Sequence, residues 1–158
     1  MKEIVSIDQI THVIETLKKS GYKKIVFTNG CFDILHRGHV EYLEKARELG
    51  DLLVLGLNSD TSVKKLKGHP RPYVGQEDRA FILSRLEAVD IVCIFDEDTP
   101  YELIKRVKPD VLVKGGDYNA DDIVGNDIVI NRGGQVISLP FVEGKSTSSL
   151  IEEIKNQI

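Results

Sequence analysis

The stretch Lys24-Ile25-Val26-Phe27-Thr28-Asn29-Gly30-Cys31-Phe32-Asp33-Ile34-Leu35-His36-Arg37-Gly38-His39 decides how this chain is read. An apolar β-like run, Lys24 to Phe27, enters a Gly-containing turn. Val40-Glu41-Tyr42-Leu43-Glu44-Lys45-Ala46-Arg47 leaves that turn with helical spacing. Strand, turn and helix start together make a phosphate site, because unpaired backbone N–H groups and the positive end of the helix dipole face the ligand. His36 and His39 add side-chain donors, and Gly38 lets an anion approach the backbone. The stretch predicts a nucleotide-binding active site.

Working outward, strands and helices alternate. Ser6 and Gln9 form a capping box ahead of Ile7, Ile10, Val13, Ile14 and Leu17 at helical spacing, with Gly21 as the stop. Strands are expected at 23–28, 51–58, 90–95, 109–114 and 135–139, and helices at 37–49, 76–88, 100–107, 122–131 and 146–157. Asp51 to Asn58 is nearly continuous apolar sequence, as in a strand buried on both faces of a parallel sheet. Residues 59–75 hold glycines, prolines and cations and read as a long functional loop. The pattern predicts one α/β domain over residues 1–158, with a Rossmann-like doubly wound five-stranded parallel sheet of order 3-2-1-4-5 and helices on both faces. Such sheets bind ligands at the carboxyl ends of strands, where the strand order reverses. Thr28–His39, Lys114–Asp117 and Pro140–Ser149 all fall directly after strands.

Two imidazoles at a helix start suit phosphoryl chemistry, whereas a single histidine in a turn is as readily structural. Attack on the α-phosphate of a nucleotide builds negative charge on the equatorial oxygens and the leaving pyrophosphate, and pre-positioned donors stabilise it. A phosphate nucleophile is already ionised and needs no general base. Gly144-Lys145-Ser146-Thr147 imitates a P-loop, but position 139 is Leu where that pattern needs Gly. It reads instead as a helix N-terminus offering hydroxyls and amides, or as a plain N-cap by Ser146. Lys64-Lys65-Leu66-Lys67-Gly68 is either a solvated face or a loop that closes over pyrophosphate, with Lys65 placed among the catalytic residues. Arg79 either reaches phosphate or pairs with Glu on its own helix. Asp33 orients an imidazole, binds Mg²⁺ or caps the next turn. A zinc site is not expected, because the motif has no third ligand.

The net charge of -4 and pI near 5.6 argue against a general nucleic-acid binder. Cys31 and Cys93 have no metal or redox spacing, which fits reduced thiols in the cytoplasm. There is no secretory pattern at the start and no apolar run of membrane-spanning length, so neither export nor a membrane is expected.

Thr28-Asn29-Gly30-Cys31-Phe32-Asp33 with His36-Arg37-Gly38-His39, followed late in the chain by Gly144-Lys145-Ser146-Thr147-Ser148, resembles the nucleotidyltransferase superfamily of cytidylyltransferases and pantetheine-phosphate adenylyltransferase. Val54–Asp60, Leu66-Lys67-Gly68 with Arg71-Pro72, Leu86-Glu87-Ala88-Val89-Asp90 and Leu112-Val113-Lys114-Gly115-Gly116-Asp117-Tyr118 resemble, more narrowly, the adenylyltransferase domain of ADP-heptose synthase. The likeness runs from about residue 7 to the end. It implies transfer of AMP from ATP to D-glycero-β-D-manno-heptose 1-phosphate with Mg²⁺, for lipopolysaccharide core assembly. It also implies a separate heptose kinase as pathway partner, and a homodimer suits an enzyme this small.

On this reading Thr28, His36, His39 and Lys65 are catalytic. Thr28, Asn29, Gly30, Cys31, Phe32, His36, Gly38, His39, Arg79, Lys114, Gly116, Asp117, Ser146, Thr147 and Ser148 hold the nucleotide, Asp33, Asn58 and Arg71 hold the sugar phosphate, and no metal is bound by side chains. Phe141-Val142-Glu143-Gly144 stands where many cytidylyltransferases carry Arg-Thr-Glu-Gly, which tilts away from CTP. A cytidylyltransferase or FMN adenylyltransferase on the same scaffold is the alternative enzyme. A nucleotide sensor without turnover is the alternative from another class.

Overall fold

A computed structural model of the chain describes residues 2–158. Six parallel strands, β1 (Glu3–Val5), β2 (Ile25–Gly30), β3 (Leu52–Asn58), β4 (Ile91–Phe95), β5 (Val111–Gly115) and β6 (Gln135–Leu139), form one sheet in the order β1-β4-β3-β2-β5-β6. The helices are α1 (Ile7–Lys19), α2 (Arg37–Arg47), α3 (Asp60–Lys67), α4 (Gln76–Ser84), α5 (Tyr101–Val107), α6 (Asn126–Asn131) and α7 (Thr147–Gln157).

Alternation along the strands divides the core in two. Ile25 and Phe27 of β2 point to one face with α1 and α5, where Ile10, Ile14, Leu17, Leu103 and Val107 are buried. Val26, with Leu53, Leu55 and Leu57 of β3, points to the other face, against Leu43 and Ala46 of α2 and Ala80 and Leu83 of α4. Both faces are covered, so the central strands carry apolar residues at successive positions.

The expected five-stranded sheet is corrected to six. β1 pairs with β4 through Glu3, Ile4 and Val5, and only Val5 is buried. Three residues with one buried side chain show no readable period; the ladder to β4 makes them a strand. The expected loop at 59–75 is also corrected, because α3 occupies its first half. Ser59 caps α3 by accepting the Ser62 N–H at 3.1 Å, and Gly68 ends it with a φ of 74°. Only Ser62 and Val63 of α3 are buried, too short an apolar pattern to be recognised against the lysines.

From β2 the chain builds outward through β3 to β4, then crosses to β5 on the other side of β2. The reversal opens a crevice at the carboxyl ends of β2 and β5. No helix among the described residues is long and apolar enough to cross a membrane.

Candidate active site

At the end of β2 the chain makes a tight, partly left-handed turn. Phe32 has a φ of 49° and Ile34 of 57°, conformations that cost free energy in L-residues and persist only where the surroundings enforce them. The enforcing contacts are visible. Phe32 is buried, with its ring centroid 5.3 Å from that of His39. The Asp33 carboxylate accepts the Tyr73 and Val74 N–H groups, each at 2.9 Å, and the Arg71 guanidinium at 2.6 Å. Burial alone would raise the Asp33 pKa; those two backbone donors and Arg71 outweigh it and hold the pKa below the ordinary carboxylate value.

His36 is the N-cap of α2, and its Nδ1 accepts the Gly38 N–H at 3.1 Å. Nδ1 of His39 accepts the His36 N–H at 3.3 Å. With both Nδ1 atoms occupied as acceptors, each neutral ring carries its proton on Nε2, which is left free to donate. The rings stack with centroids 3.9 Å apart and 23° between planes. Burial, then the neighbouring His36, lowers the His39 pKa to about 4; burial, then the Lys145 ammonium, lowers that of His36. Both are therefore neutral N–H donors in the free protein near pH 7.

The last helix arrives at the same place. Ser146 caps α7 by accepting the Ser149 N–H at 3.0 Å, and Thr147 Oγ1 donates to the Asp33 carbonyl at 2.9 Å. A Cβ built on Gly38 would meet His36 Cε1 at 2.9 Å and Lys145 Cβ at 3.0 Å, so the starts of α2 and α7 touch. Two helix N-termini, two Nε2–H groups and one ammonium thus meet in one place, an arrangement suited to a polyanion. Lys145, which the role assignments from sequence leave out, joins the site through this contact.

Several expected residues do other work. Thr28 is fully buried, and its hydroxyl lies 2.6 Å from that of Tyr42, a partner that no spacing in sequence points to. Burial, partly offset by Thr28, pushes the Tyr42 pKa up to about 12. Arg79 is turned into the protein and makes no pair with a Glu of its own helix. It is 2% exposed and donates to the carbonyls of Cys31, Asn58 and Val74 and to the Asp60 carboxylate. Arg79 therefore welds the ends of β2 and β3 to the 71–75 segment. Asp33 orients no imidazole, and its engaged oxygens do not fit an Mg²⁺ ligand. Lys65 is exposed and pairs with Asp98 at 3.3 Å. Burial raises the Cys31 pKa, and the charge of Lys67, two residues beyond Lys65, opposes that rise most.

The remaining expected residues sit at or just beyond the carboxyl ends of β2, β3 and β5, or in the first turn of α7. Asn29, Gly30 and Cys31 are half-buried at the end of β2. Asn58 is buried at the end of β3, with its side-chain amide on Ser62 Oγ at 2.9 Å. Lys114 lies on β5 and Gly116 just beyond it, Asp117 is exposed beside them, and Ser148 is exposed in the first turn of α7. Among the described residues no three His, Cys, Asp or Glu side chains gather in a metal-binding cluster. Mg²⁺ is commonly held by only one or two carboxylates together with the phosphates of its nucleotide.

The bifunctional protein HldE of a Nitratiruptor species is 58% identical to this chain over 153 residues, covering 97% of the chain and 32% of that protein. The bifunctional protein HldE of Campylobacter concisus (strain 13826) is 60% identical over 147 residues, covering 93% and 30%. The chain thus spans about a third of the length of the curated relatives it matches. Among solved structures, the lipopolysaccharide core biosynthesis protein from Thermoplasma volcanium GSS1 superposes with a TM-score of 0.62 at 27% identity, covering 77% of this chain and 98% of that one. A pantoate-beta-alanine ligase from Francisella tularensis shares the fold at 16% identity with a TM-score of 0.63, covering 99% of this chain and 77% of that one. The family described as cytidylyltransferase-like matches residues 27–153, from β2 through the site to α7, and the chain belongs to that family.

Proposed function

We propose that the site transfers AMP from ATP to D-glycero-β-D-manno-heptose 1-phosphate, releasing pyrophosphate and forming ADP-heptose. The observation that carries this reading is the pair of imidazoles with both Nδ1 atoms tied to backbone N–H groups, beside Lys145 and the start of α7. A phosphate oxygen of the sugar attacks the α-phosphorus, and the bond from that phosphorus to the bridging oxygen of pyrophosphate breaks. The two Nε2–H groups and the helix N-termini hold the charge that grows on the α-phosphoryl and leaving oxygens. The attacking phosphate is already ionised, so the site needs no base, and no residue here is poised as one. Mg²⁺ would accompany the nucleotide phosphates and ease their charge.

The identity shared with HldE proteins supports the heptose phosphate as acceptor. The likeness to a lipopolysaccharide core biosynthesis protein agrees with it. The expectation of a separate kinase is revised. The relatives are called bifunctional and this chain spans about a third of their length, so the sugar phosphate is read as coming from a second activity in one polypeptide with such a domain rather than from a separate enzyme. The test is pyrophosphate release from ATP, with CTP as comparator, in the presence of heptose 1-phosphate. Release that requires both ATP and the sugar phosphate is expected; absence of ATP-dependent release refutes the proposal.

A further inference from the structure

Helix α4 buries one side and leaves the other in water. Ala80 and Leu83 pack from it onto the sheet, whereas Phe81 is 55% exposed and Ile82 45%. Asp78 and Arg85 are exposed as well. Positions 78, 81, 82 and 85 follow the i, i+3, i+4, i+7 spacing, so they form one stripe on the solvent side of the helix. Single apolar residues on a surface are ordinary, but two adjoining ones flanked by charges make a patch. Arg85 lies over the Phe81 ring, 4.9 Å from its centroid, and still leaves that side chain more than half exposed.

The patch extends past the helix. β1 starts beside its C-terminal end, where Lys2 Nζ donates to the Leu86 and Glu87 carbonyls at 2.7 and 2.6 Å. Ile4 of β1 is 46% exposed. Its register partner Val92 belongs to the core beneath α4, which puts Ile4 on the same face of the sheet.

The stripe is its own complement. Positions 78 and 85 are equidistant from the midpoint between 81 and 82, about 5 Å to either side along the axis. Two copies of α4 laid antiparallel about that midpoint bring Phe81 and Ile82 of both together. Asp78 of each copy then stands level with Arg85 of the other. Among the described residues neither side chain has an ion-pair partner within its own chain. The helix dipole favours an acid in the first turn and a base in the last, yet it gives no reason for the exposed apolar pair between them.

We propose that this stripe is the seam of a two-fold dimer of the chain, with a second copy as its occupant. A self-complementary patch is what a two-fold interface requires, since the same surface serves both copies. The helix pair alone is short: the nine residues of α4 span about 14 Å, whereas a standard interface buries about 800 Å² on each side. Ile4 and the edge of β1 add to it, and the dimer is a weak, reversible one. Arg79 leaves the same helix on its buried side, so the second copy braces from outside the helix that joins the turn after β2 to β3. Such a dimer stands whatever reaction the crevice carries out.

Sedimentation velocity on the full chain over a range of concentrations tests the seam, with circular dichroism confirming that each variant folds. The parent should show a reversible dimer with a Kd of about 1–100 µM. Asp78→Arg and Arg85→Asp each set like charges across the seam and should weaken the dimer about tenfold or more. The double variant carrying both substitutions restores the opposition and should return to within about threefold of the parent. Phe81→Glu should stay monomeric, and its melting temperature should be independent of concentration where that of the parent rises. A parent that is monomeric at about 200 µM overturns the proposal. So does a dimer that Phe81→Glu leaves intact, or a double variant no better than the two single ones.

Discussion

Thr147 Oγ1 donates to the backbone carbonyl of Asp33 at 2.9 Å, joining the first turn of α7 to the histidine loop across 114 residues of sequence. Thr147→Val keeps the shape and removes the donor. A lost hydrogen bond of this kind costs about 0.5–1.5 kcal/mol, so a melting temperature lowered by only a few degrees is expected. The KM for the nucleotide should rise roughly five- to tenfold, because the start of α7 is no longer held against the phosphates. Steady-state kinetics beside a thermal melt would show it; an unchanged KM would remove α7 from the site.

Gly38→Ala separates activity from stability. Alanine within a helix is favoured over glycine by about 1 kcal/mol, yet here its Cβ would press on His36 Cε1 at 2.9 Å and on Lys145 Cβ at 3.0 Å. Turnover should fall by about tenfold or more, since small displacements of positioned donors are expensive, while the denaturation midpoint stays level or changes little. Denaturant unfolding and kcat measured on one preparation would check the contrast.

Arg79→Lys should be chiefly a folding defect. One ammonium cannot reproduce a fork that serves three carbonyls and the Asp60 carboxylate, and buried acceptors would lose their partners. A loss of about 3–5 kcal/mol in urea unfolding is expected, the range for breaking a buried ionic network. Full stability with a selective rise in the nucleotide KM would instead return Arg79 to the phosphate site.

The low pKa of His39, about 4, has a signed consequence. Between pH 6.5 and 4 the unfolded chain binds a proton at this residue that the folded protein resists. The stability this histidine contributes is fully present above about pH 6.5 and lost as pH falls toward 4. Melting temperatures should decline through that window, and decline less in His39→Gln. The ring-proton NMR titration of His39 in the free protein should have its midpoint near 4; a midpoint near the ordinary histidine value would contradict the half-buried, stacked geometry. His39→Gln should also lower kcat about a hundredfold or more, as loss of a transition-state donor does.

Much of the site could be read from residues 24–39, because a phosphate cradle is local: strand, turn, N-cap and imidazoles lie within sixteen positions. The arrival of Ser146 and Thr147 at the same rim followed from the alternation of strands and helices. Arg79 could not be placed that way. Its three carbonyl partners come from the turn after β2, from β3 and from the 71–75 segment, and no spacing in sequence encodes such a convergence. Asp33 resembled a metal or histidine ligand because the Tyr73 and Val74 amides that use its oxygens lie some forty residues away.

What the sequence by itself determined is the periodic apolar pattern of the central strands and the chemistry of the histidine turn, since both depend on near neighbours along the chain. Tertiary structure alone decided that β1 is a strand, that the Thr28 hydroxyl meets that of Tyr42, that Lys145 packs beside Gly38, and that Phe141 and Tyr118 border one glycine. The physical reason is the same in each case. Burial and hydrogen-bond partnership are properties of space, and a polar side chain is available to a ligand only when no distant part of the chain has already engaged it.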